Sequence, residues 1–140
     1  MTSFVVDCSV AIQWYVEEDG YLDSRLLLES DNELFTPSLA LAEFGNVCWK
    51  KARRGEMARA SAEAALASFG TDVVHFVDMT SYVDNALQFA LDSGLTVYDS
   101  LYASLALAMN SPLVTNDTRL HAALSADNPD LVRFPSEIAS

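Results

Sequence analysis

Four carboxylates in this sequence stand apart from the others because their neighbours along the chain are apolar. The chain has 20 Asp and Glu residues among 140, and most of them occur in polar, loop-like stretches where a solvated surface position is expected. Asp7 and Asp117 instead each follow a short apolar run, Asp99 precedes one, and Glu43 lies inside one. Burying an unpaired carboxylate is unfavourable, so these four residues need a specific explanation.

A single explanation covers all four acids, namely that they gather around divalent metal ions. Carboxylates at close range raise one another's pKa, so an all-acidic cluster stays ionised only when cations are bound. Oxygen ligands favour Mg²⁺ or Mn²⁺ over softer metals. Two such ions about 4 Å apart can hold the attacking and leaving oxygens during hydrolysis of a phosphodiester. The hydroxyls of Ser9 and Thr115, each two positions from an acid, could hydrogen-bond a ligated water or a phosphate.

Each acid also has a purely local interpretation. Asp7 and Asp117 would cap the helices that we expect to follow them, and Asp99 would be favoured by the dipole at the start of a helix. Glu43 is harder to explain in this way because its position is predicted to be in the middle of a helix. It therefore needs a partner, and the nearest cation along the chain is Lys50.

The helix that carries Glu43 also carries a row of polar and basic residues. At 100° per residue, Glu43, Asn46, Lys50 and Arg54 fall within about 80° of one another, and the last two lie up to about 16 Å further along. The net charge of −12 argues against a general nucleic-acid coat protein. Five of the eight basic residues nevertheless fall between positions 50 and 59. We expect this basic surface to hold a nucleic-acid strand next to an acidic metal centre.

Short apolar strands alternate with helices along the whole chain, which predicts an α/β fold with a parallel sheet covered on both faces. We expect one domain, residues 1–140, because a chain of this length builds a single core. Ligands of such open sheets bind at the carboxyl ends of the strands, where the strand order reverses. If the first strand neighbours the fourth, Asp7 and Asp117 face each other there. Strands are predicted at 3–6, 33–37, 73–77, 113–115 and 131–134, and helices at 8–18, 21–29, 38–54, 56–69, 80–93, 97–109 and 117–125.

Four segments resemble the signature segments of PIN-domain ribonucleases, and in particular of the VapC toxins of bacterial and archaeal toxin–antitoxin pairs. They are residues 5–11, the helix with Glu43 and Asn46, residues 97–103 and residues 113–117. The four segments occur in the family's order and are spread along nearly the whole chain. The resemblance implies a three-layer α/β/α domain with a central parallel sheet, usually dimeric. It also implies cleavage of RNA that depends on Mg²⁺ or Mn²⁺, and inhibition by a cognate VapB antitoxin.

Carried over position by position, the resemblance makes four acids the catalytic and metal-binding quartet and gives a supporting role to several polar residues. Cys8 departs from the small residue that is usual at its position, and Thr118, Arg119 and Leu120 stand where a further acid sometimes occurs. The quartet is Asp7, Glu43, Asp99 and Asp117, with Ser9, Asn46 and Thr115 as polar support. Together with Lys50 and Arg54, which the helix geometry adds, these three polar residues are the candidate substrate-binding residues.

Two other Mg²⁺-binding families fit the sequence less well. A phosphoacceptor receiver domain and a haloacid-dehalogenase-type phosphatase both need a Lys near the end of the sheet, and no Lys follows Lys51. A catalytically inactive PIN domain that acts as an RNA- or protein-binding module remains an alternative. The type of RNA, whether transfer, ribosomal or messenger, cannot be read from one chain.

The sequence also predicts where the protein works. No apolar run reaches the roughly 18 residues of a membrane helix, and the first residues lack the basic segment of a secretory signal. Cys8 and Cys48 fall in or beside regular elements, as reduced thiols of a cytosolic protein would. We therefore expect a cytoplasmic protein that does not bind membranes.

Overall fold

The computed structural model describes residues 2–29 and 31–139. Its five strands form one sheet in which every neighbouring pair is parallel, in the order β3-β2-β1-β4-β5. The strands are β1 Thr2–Val6, β2 Asn32–Pro37, β3 His75–Val77, β4 Leu113–Val114 and β5 Val132–Arg133. The described part of the chain contains no helix long and apolar enough to cross a membrane.

Helices flank this sheet, as the three-layer α/β/α prediction requires. The α-helices are α1 Cys8–Ala11, α2 Tyr21–Leu26, α3 Ala40–Arg53, α4 Arg59–Ser68, α5 Val83–Ser93, α6 Val97–Met109, α7 Thr118–Ser125 and α8 Pro135–Ala139. Short 3₁₀ turns at Ile12–Trp14 and Met79–Ser81 and a π-helical turn at Phe69–Val73 complete the elements.

The strand order reverses between β1 and β4, so the condition for Asp7 and Asp117 to face each other is met. Val5 pairs with Leu113 and Val6 with Val114, and all four side chains are completely buried. A strand that is buried on both faces needs β-branched and other apolar residues at consecutive positions. This pairing places the residues that follow β1 and β4 side by side at the carboxyl edge of the sheet.

The core beneath the site contains aromatic residues next to α3 and small residues on α6. Phe44 of α3 stacks on Phe69 with ring centroids 4.4 Å apart. Ala103 and Ala106 of α6 are fully buried, and α6 packs against β1 and β2. Small residues let the α6 backbone approach the sheet closely, which brings the start of α6 near the end of β1.

Several predicted helix bounds are wrong, and close packing explains the one at Gly70. The helix predicted at 21–29 ends at Leu26, and the helices predicted to start at 56 and 80 start at Arg59 and Val83. The first helix ends at Ala11 and continues only as a 3₁₀ turn, rather than reaching residue 18. The helical backbone of α4 does not end before Gly70. It continues through a π-helical turn to Val73. A Cβ atom at Gly70 would lie 3.2 Å from Leu41 Cδ1, so Gly70 permits close contact between this turn and α3. The third strand consequently begins at His75 instead of residue 73.

The start of α3 also differs from the prediction, and this changes the position of Glu43. Ser38 does not cap the helix: its N–H donates to the Val77 carbonyl at 2.9 Å and its Oγ accepts from Met79 N at 3.0 Å. These bonds tie Ser38 to the end of β3, so the helix starts only at Ala40. Glu43 therefore lies in the first turn of α3, not in its middle, where the helix dipole favours a carboxylate.

Candidate active site

Asp7 is held at the end of β1 by hydrogen bonds to both carboxylate oxygens. Its Oδ1 accepts from Ser9 N at 3.1 Å, Ser9 Oγ at 2.5 Å and Val10 N at 3.4 Å, while Oδ2 accepts from Thr115 Oγ1 at 2.5 Å. Asp7 caps α1, so its local interpretation is correct as well. Burial raises the pKa of Asp7 to about 6, and the hydrogen bonds from Ser9 and Thr115 only partly offset that rise.

The end of β4 is joined to Asp7 through two hydroxyl groups. Thr115 Oγ1, which donates to Asp7, also accepts from Asp117 N at 3.0 Å. Ser9 Oγ, the other donor to Asp7, accepts from Asn116 N at 2.9 Å. Ser9 and Thr115 thus link the two strand ends and fix the orientation of the Asp7 carboxylate. Their predicted contact with a substrate stays a prediction.

Glu43 is half-buried and has a partner that the sequence did not reveal. Tyr102 of α6 donates its hydroxyl to Glu43 Oε1 at 2.5 Å, whereas no hydrogen bond or ion pair joins Glu43 to the exposed Lys50. Burial raises the pKa of Glu43, the Tyr102 hydroxyl lowers it and the negative charge of Asp99 raises it. Burial also raises the pKa of Tyr102 far above its usual value, so this phenol remains a hydrogen-bond donor.

The remaining two acids share one arginine. Asp99 lies in the first turn of α6, where Thr96 Oγ1 accepts from its N–H at 3.1 Å. Asp117 caps α7, with Oδ1 accepting from Arg119 N at 3.0 Å and Leu120 N at 3.1 Å. The Arg119 guanidinium Nη2 lies 2.9 Å from Asp99 Oδ2 and 3.7 Å from Asp117 Oδ2. Both acids therefore have a positive charge beside them.

All four predicted acids open onto one pocket at the carboxyl edge of the sheet, although four different elements carry them. Three of them stand at the start of helices α3, α6 and α7, and the fourth starts α1. The residues that line the pocket are Asp7, Cys8, Ser9, Glu43, Asn46, Val47, Asp99, Tyr102, Asp117 and Leu120.

The donor types in this pocket fit a hard divalent cation, since four carboxylates and no imidazole converge there. Asp7, Glu43, Asp99 and Asp117 are the residues that would hold it. Among the described residues, however, no group of three or more His, Cys, Asp or Glu side chains is already arranged to ligate a metal. In this arrangement Arg119 pairs with two of the four acids, Asp99 and Asp117.

The basic surface on α3 extends away from the pocket as predicted. Asn46 lines the pocket, and Lys50 and Arg54 are exposed further along the same helix. Within the part of the chain that the structure describes, neither Lys50 nor Arg54 is in an ion pair. Their charges are therefore available to phosphate groups, although Lys50 and Arg54 do not line the pocket itself.

Two neighbouring cations on α3 have structural contacts instead. Lys51 Nζ forms a short ion pair with Glu18 and lies 3.8 Å from Glu56 Oε2, which ties the loop after the first 3₁₀ turn to α3. The guanidinium of Arg53 lies over the ring of Trp49, 5.2 Å from its centroid. Lys51 and Arg53 are thus engaged in contacts within the protein.

Two partners of the acids were missed from the sequence, Tyr102 in the pocket and Arg119 beside it. Tyr102 is three positions after Asp99, so it shares that face of α6, and this spacing could have identified it. Arg119 is two positions after Asp117, but its contact with Asp99 depends on the relative placement of α6 and α7. No sequence pattern could have indicated that contact.

Cys8 and His121, the latter one turn after Asp117, do not extend the site. Burial raises the pKa of the Cys8 thiol well above its usual value, and nearby carboxylates raise it further. Its Sγ donates to the Ala40 carbonyl at 3.4 Å, so Cys8 is no activated nucleophile. His121 lies outside the pocket, where it stacks on Phe134 and its Nε2 lies 2.9 Å from Glu137 Oε1.

Comparison with known proteins gives a consistent set of relatives. The sequence model of the PIN domain matches residues 4–124. Ribonuclease VapC3 of Pyrobaculum aerophilum is 33% identical over 119 residues, covering 83% of this chain and 90% of that protein. Exonuclease VapC9 of the same organism is 30% identical over 119 residues, covering 85% and 84%.

Solved structures share the fold. The crystal structure of PAE2754 from Pyrobaculum aerophilum superposes with a TM-score of 0.72 at 26% identity, covering 98% of this chain and 86% of the other. VapBC2 from Rickettsia felis, solved with a DNA fragment from its promoter, gives a TM-score of 0.64 at 21% identity, covering 95% and 98%.

Proposed function

The chain belongs to the PIN domain family, and from that premise we propose that it is a metal-dependent endoribonuclease, the VapC-type toxin of a type II toxin–antitoxin pair. The observation that carries the proposal is that four acids from four separate elements line one pocket at the switch point of the sheet. Relatives named VapC at 33% and 30% identity support the nuclease assignment.

Two of the four acids are proposed to contact the metal directly. Asp7 and Asp99 are our proposed direct ligands of Mg²⁺ or Mn²⁺, with Asp117 and Glu43 completing the set. When bound, such an ion activates a water molecule and neutralises the charge that develops on the phosphodiester. Ser9 and Thr115 hold the Asp7 carboxylate by hydrogen bonds to both of its oxygens. Because its orientation is fixed, the Asp7 carboxylate needs little rearrangement to contact the metal.

The proposed reaction is hydrolysis of a phosphodiester in single-stranded or looped RNA. A water oxygen attacks the phosphorus and the bond to the 3′ oxygen breaks, which leaves a 5′-phosphate and a 3′-hydroxyl end. No covalent enzyme intermediate is required, and the buried Cys8 thiol is unsuited to form one. Asn46 at the pocket and the exposed Lys50 and Arg54 along α3 would contact the strand on one side of the cleaved bond.

We propose two protein partners, a VapB-type antitoxin and a second copy of the chain in a homodimer. The fold similarity to VapBC2 of Rickettsia felis supports the first, and the resemblance of the sequence to VapC toxins supports both. The RNA target, whether transfer, ribosomal or messenger, would be cleaved in the cytoplasm. Co-expression with a small protein encoded next to it should remove any growth inhibition.

The direct test is cleavage of a closed circular RNA in Mg²⁺ or Mn²⁺. A circle has no ends, so only an endonuclease opens it, and the product ends can then be sequenced. We expect Asp99→Asn and EDTA each to abolish cleavage. Asp84→Asn is the matched control, because Asp84 lies in the first turn of the neighbouring helix α5, is exposed, and is absent from the pocket.

Each other outcome has a defined meaning. Full activity of Asp99→Asn, or activity that survives EDTA, contradicts the metal-dependent site. Digestion of linear RNA with no opening of circles indicates an exonuclease. Tight RNA binding with no cleavage by the wild-type protein indicates the inactive binding module.

A further inference from the structure

Arg119 is the cation closest to the four acids in the described structure, and its geometry differs from that of an ordinary surface arginine. Its Nη2 lies 2.9 Å from Asp99 Oδ2 and 3.7 Å from Asp117 Oδ2, so one guanidinium bridges two elements of the pocket. The Arg119 side chain is 65% exposed, compared with 24% for Asp99 and 38% for Asp117. Arg119 thus pairs with two acids of the pocket while most of its own side chain stays in solvent.

We infer that Arg119 is the internal counter-ion of this site and competes with the divalent cation for Asp99 and Asp117. The inference rests on the proposed metal site. A metal bound to Asp99 would place a double positive charge within a few ångströms of the guanidinium, and like charges at that range repel strongly. Metal binding and the two ion pairs of Arg119 therefore oppose each other.

The exposure of Arg119 makes this exchange feasible. A side chain that is mostly in solvent can leave its partners without losing core packing, and an exposed ion pair contributes little on its own. A single guanidinium nitrogen, Nη2, faces both carboxylates, and the planar guanidinium is more weakly hydrated than the ammonium of Lys, which favours Arg in this pairing. Among the described residues no three potential ligands are already gathered for a metal, which agrees with Asp99 and Asp117 being paired with Arg119 instead.

The competition predicts a change in metal affinity that can be measured without RNA. We expect Arg119→Gln to bind Mn²⁺ about three- to tenfold more tightly than the wild-type protein by isothermal titration calorimetry, the range set by breaking one or two exposed ion pairs. The Mn²⁺ affinity of Arg119→Lys should lie between those of Arg119→Gln and the wild-type protein. Arg59→Gln is the matched control, because Arg59 forms an exposed pair with Glu63 at 2.8 Å, outside the pocket. It removes the same charge and should leave the Mn²⁺ affinity unchanged.

Asp99→Asn separates failure of this inference from failure of the proposed function. If Asp99→Asn weakens Mn²⁺ binding while Arg119→Gln binds as the wild type does, the metal site stands and Arg119 is not its competitor. If Arg59→Gln tightens binding as much as Arg119→Gln, the effect is one of net charge, and the inference is again wrong. If none of the proteins binds Mn²⁺, both the inference and the metal-dependent function fail.

Discussion

Asp7→Asn should stabilise the metal-free protein while it abolishes activity. The pKa of Asp7 rises from 3.8 to about 6 because the carboxylate is buried, and a shift of about two units corresponds to about 3 kcal/mol. Below pH 3.8 the carboxyl is protonated in both folded and unfolded chains, so no penalty exists. Between pH 3.8 and 6 Asp7 ionises in the unfolded chain but stays protonated in the folded protein. The free energy of unfolding therefore falls as the pH rises through this range. Above pH 6 the folded protein carries the full penalty.

An asparagine amide removes the buried charge and keeps an oxygen that can accept from Ser9 N and Val10 N. At pH 7.5 in EDTA we expect Asp7→Asn to gain about 1–3 kcal/mol of unfolding free energy, or roughly 4–10 °C in Tm. At pH 4 the gain should disappear. Thermal and urea unfolding followed by circular dichroism measure both. Mg²⁺ should then stabilise the wild-type protein and not the variant, because only a ligand that binds the folded state shifts Tm.

Asp78→Asn is the control for this experiment. Asp78 Oδ1 accepts from Thr80 N at 3.0 Å and Thr80 Oγ1 at 2.9 Å, much as Asp7 Oδ1 accepts from Ser9. Its side chain is exposed and the hydrogen bond from Thr80 N lowers its pKa, so at neutral pH Asp78→Asn should lose stability, not gain it. If Asp7→Asn is also destabilised at pH 7.5 in EDTA, Asp7 is simply a helix cap and our account of its buried charge is refuted.

Three further variants test other parts of the pocket and its surroundings. Tyr102→Phe removes the hydrogen bond to Glu43, so the pKa of Glu43 should rise and the acid limb of the pH–rate profile should move to higher pH, with Tm changed by only a few degrees. Ser100→Ala should stabilise the protein by up to about 1 kcal/mol in urea unfolding and leave activity unchanged, because the fully buried Ser100 Oγ has no hydrogen-bond partner. The double variant Lys50→Gln, Arg54→Gln should weaken RNA binding and reduce the slope of log affinity against log salt by about 1.4. An unchanged slope would show that these two charges do not contact phosphates.

Much of the fold was predictable because short apolar runs and glycines that follow helices are local signals in the sequence. Gly55 and Gly94 have positive φ values of 75° and 80° and follow α3 and α5, where helix ends were predicted. The errors occurred where tertiary contacts override local preference. Ser38 has the right side chain for a helix cap, but its backbone extends the pairing with β3 instead, and that moves Glu43 into the first turn of α3.

The positions of the four acids were predictable, but their partners were not. Apolar neighbours were enough to single out Asp7, Glu43, Asp99 and Asp117 among 20 acids, and all four line one pocket. Glu43 was expected to need a cation, and its partner is a phenol from α6. Contacts between elements that are far apart in sequence depend on how those elements pack, which periodicity and spacing do not encode.

Asp7 and Asp78 show why local sequence could not separate a site residue from a structural one. Both are followed two positions later by a hydroxyl residue that donates its N–H and its Oγ–H to the same aspartate oxygen, and both cap a short helical turn. Their pKa values nevertheless shift in opposite directions, because burial dominates at Asp7 and a backbone hydrogen bond dominates at Asp78. The difference comes from the sheet: β1 lies at the switch point beside β4, while β3 lies at an edge. Capping holds an aspartate in place, and its position in the sheet decides whether that aspartate can serve as a metal ligand.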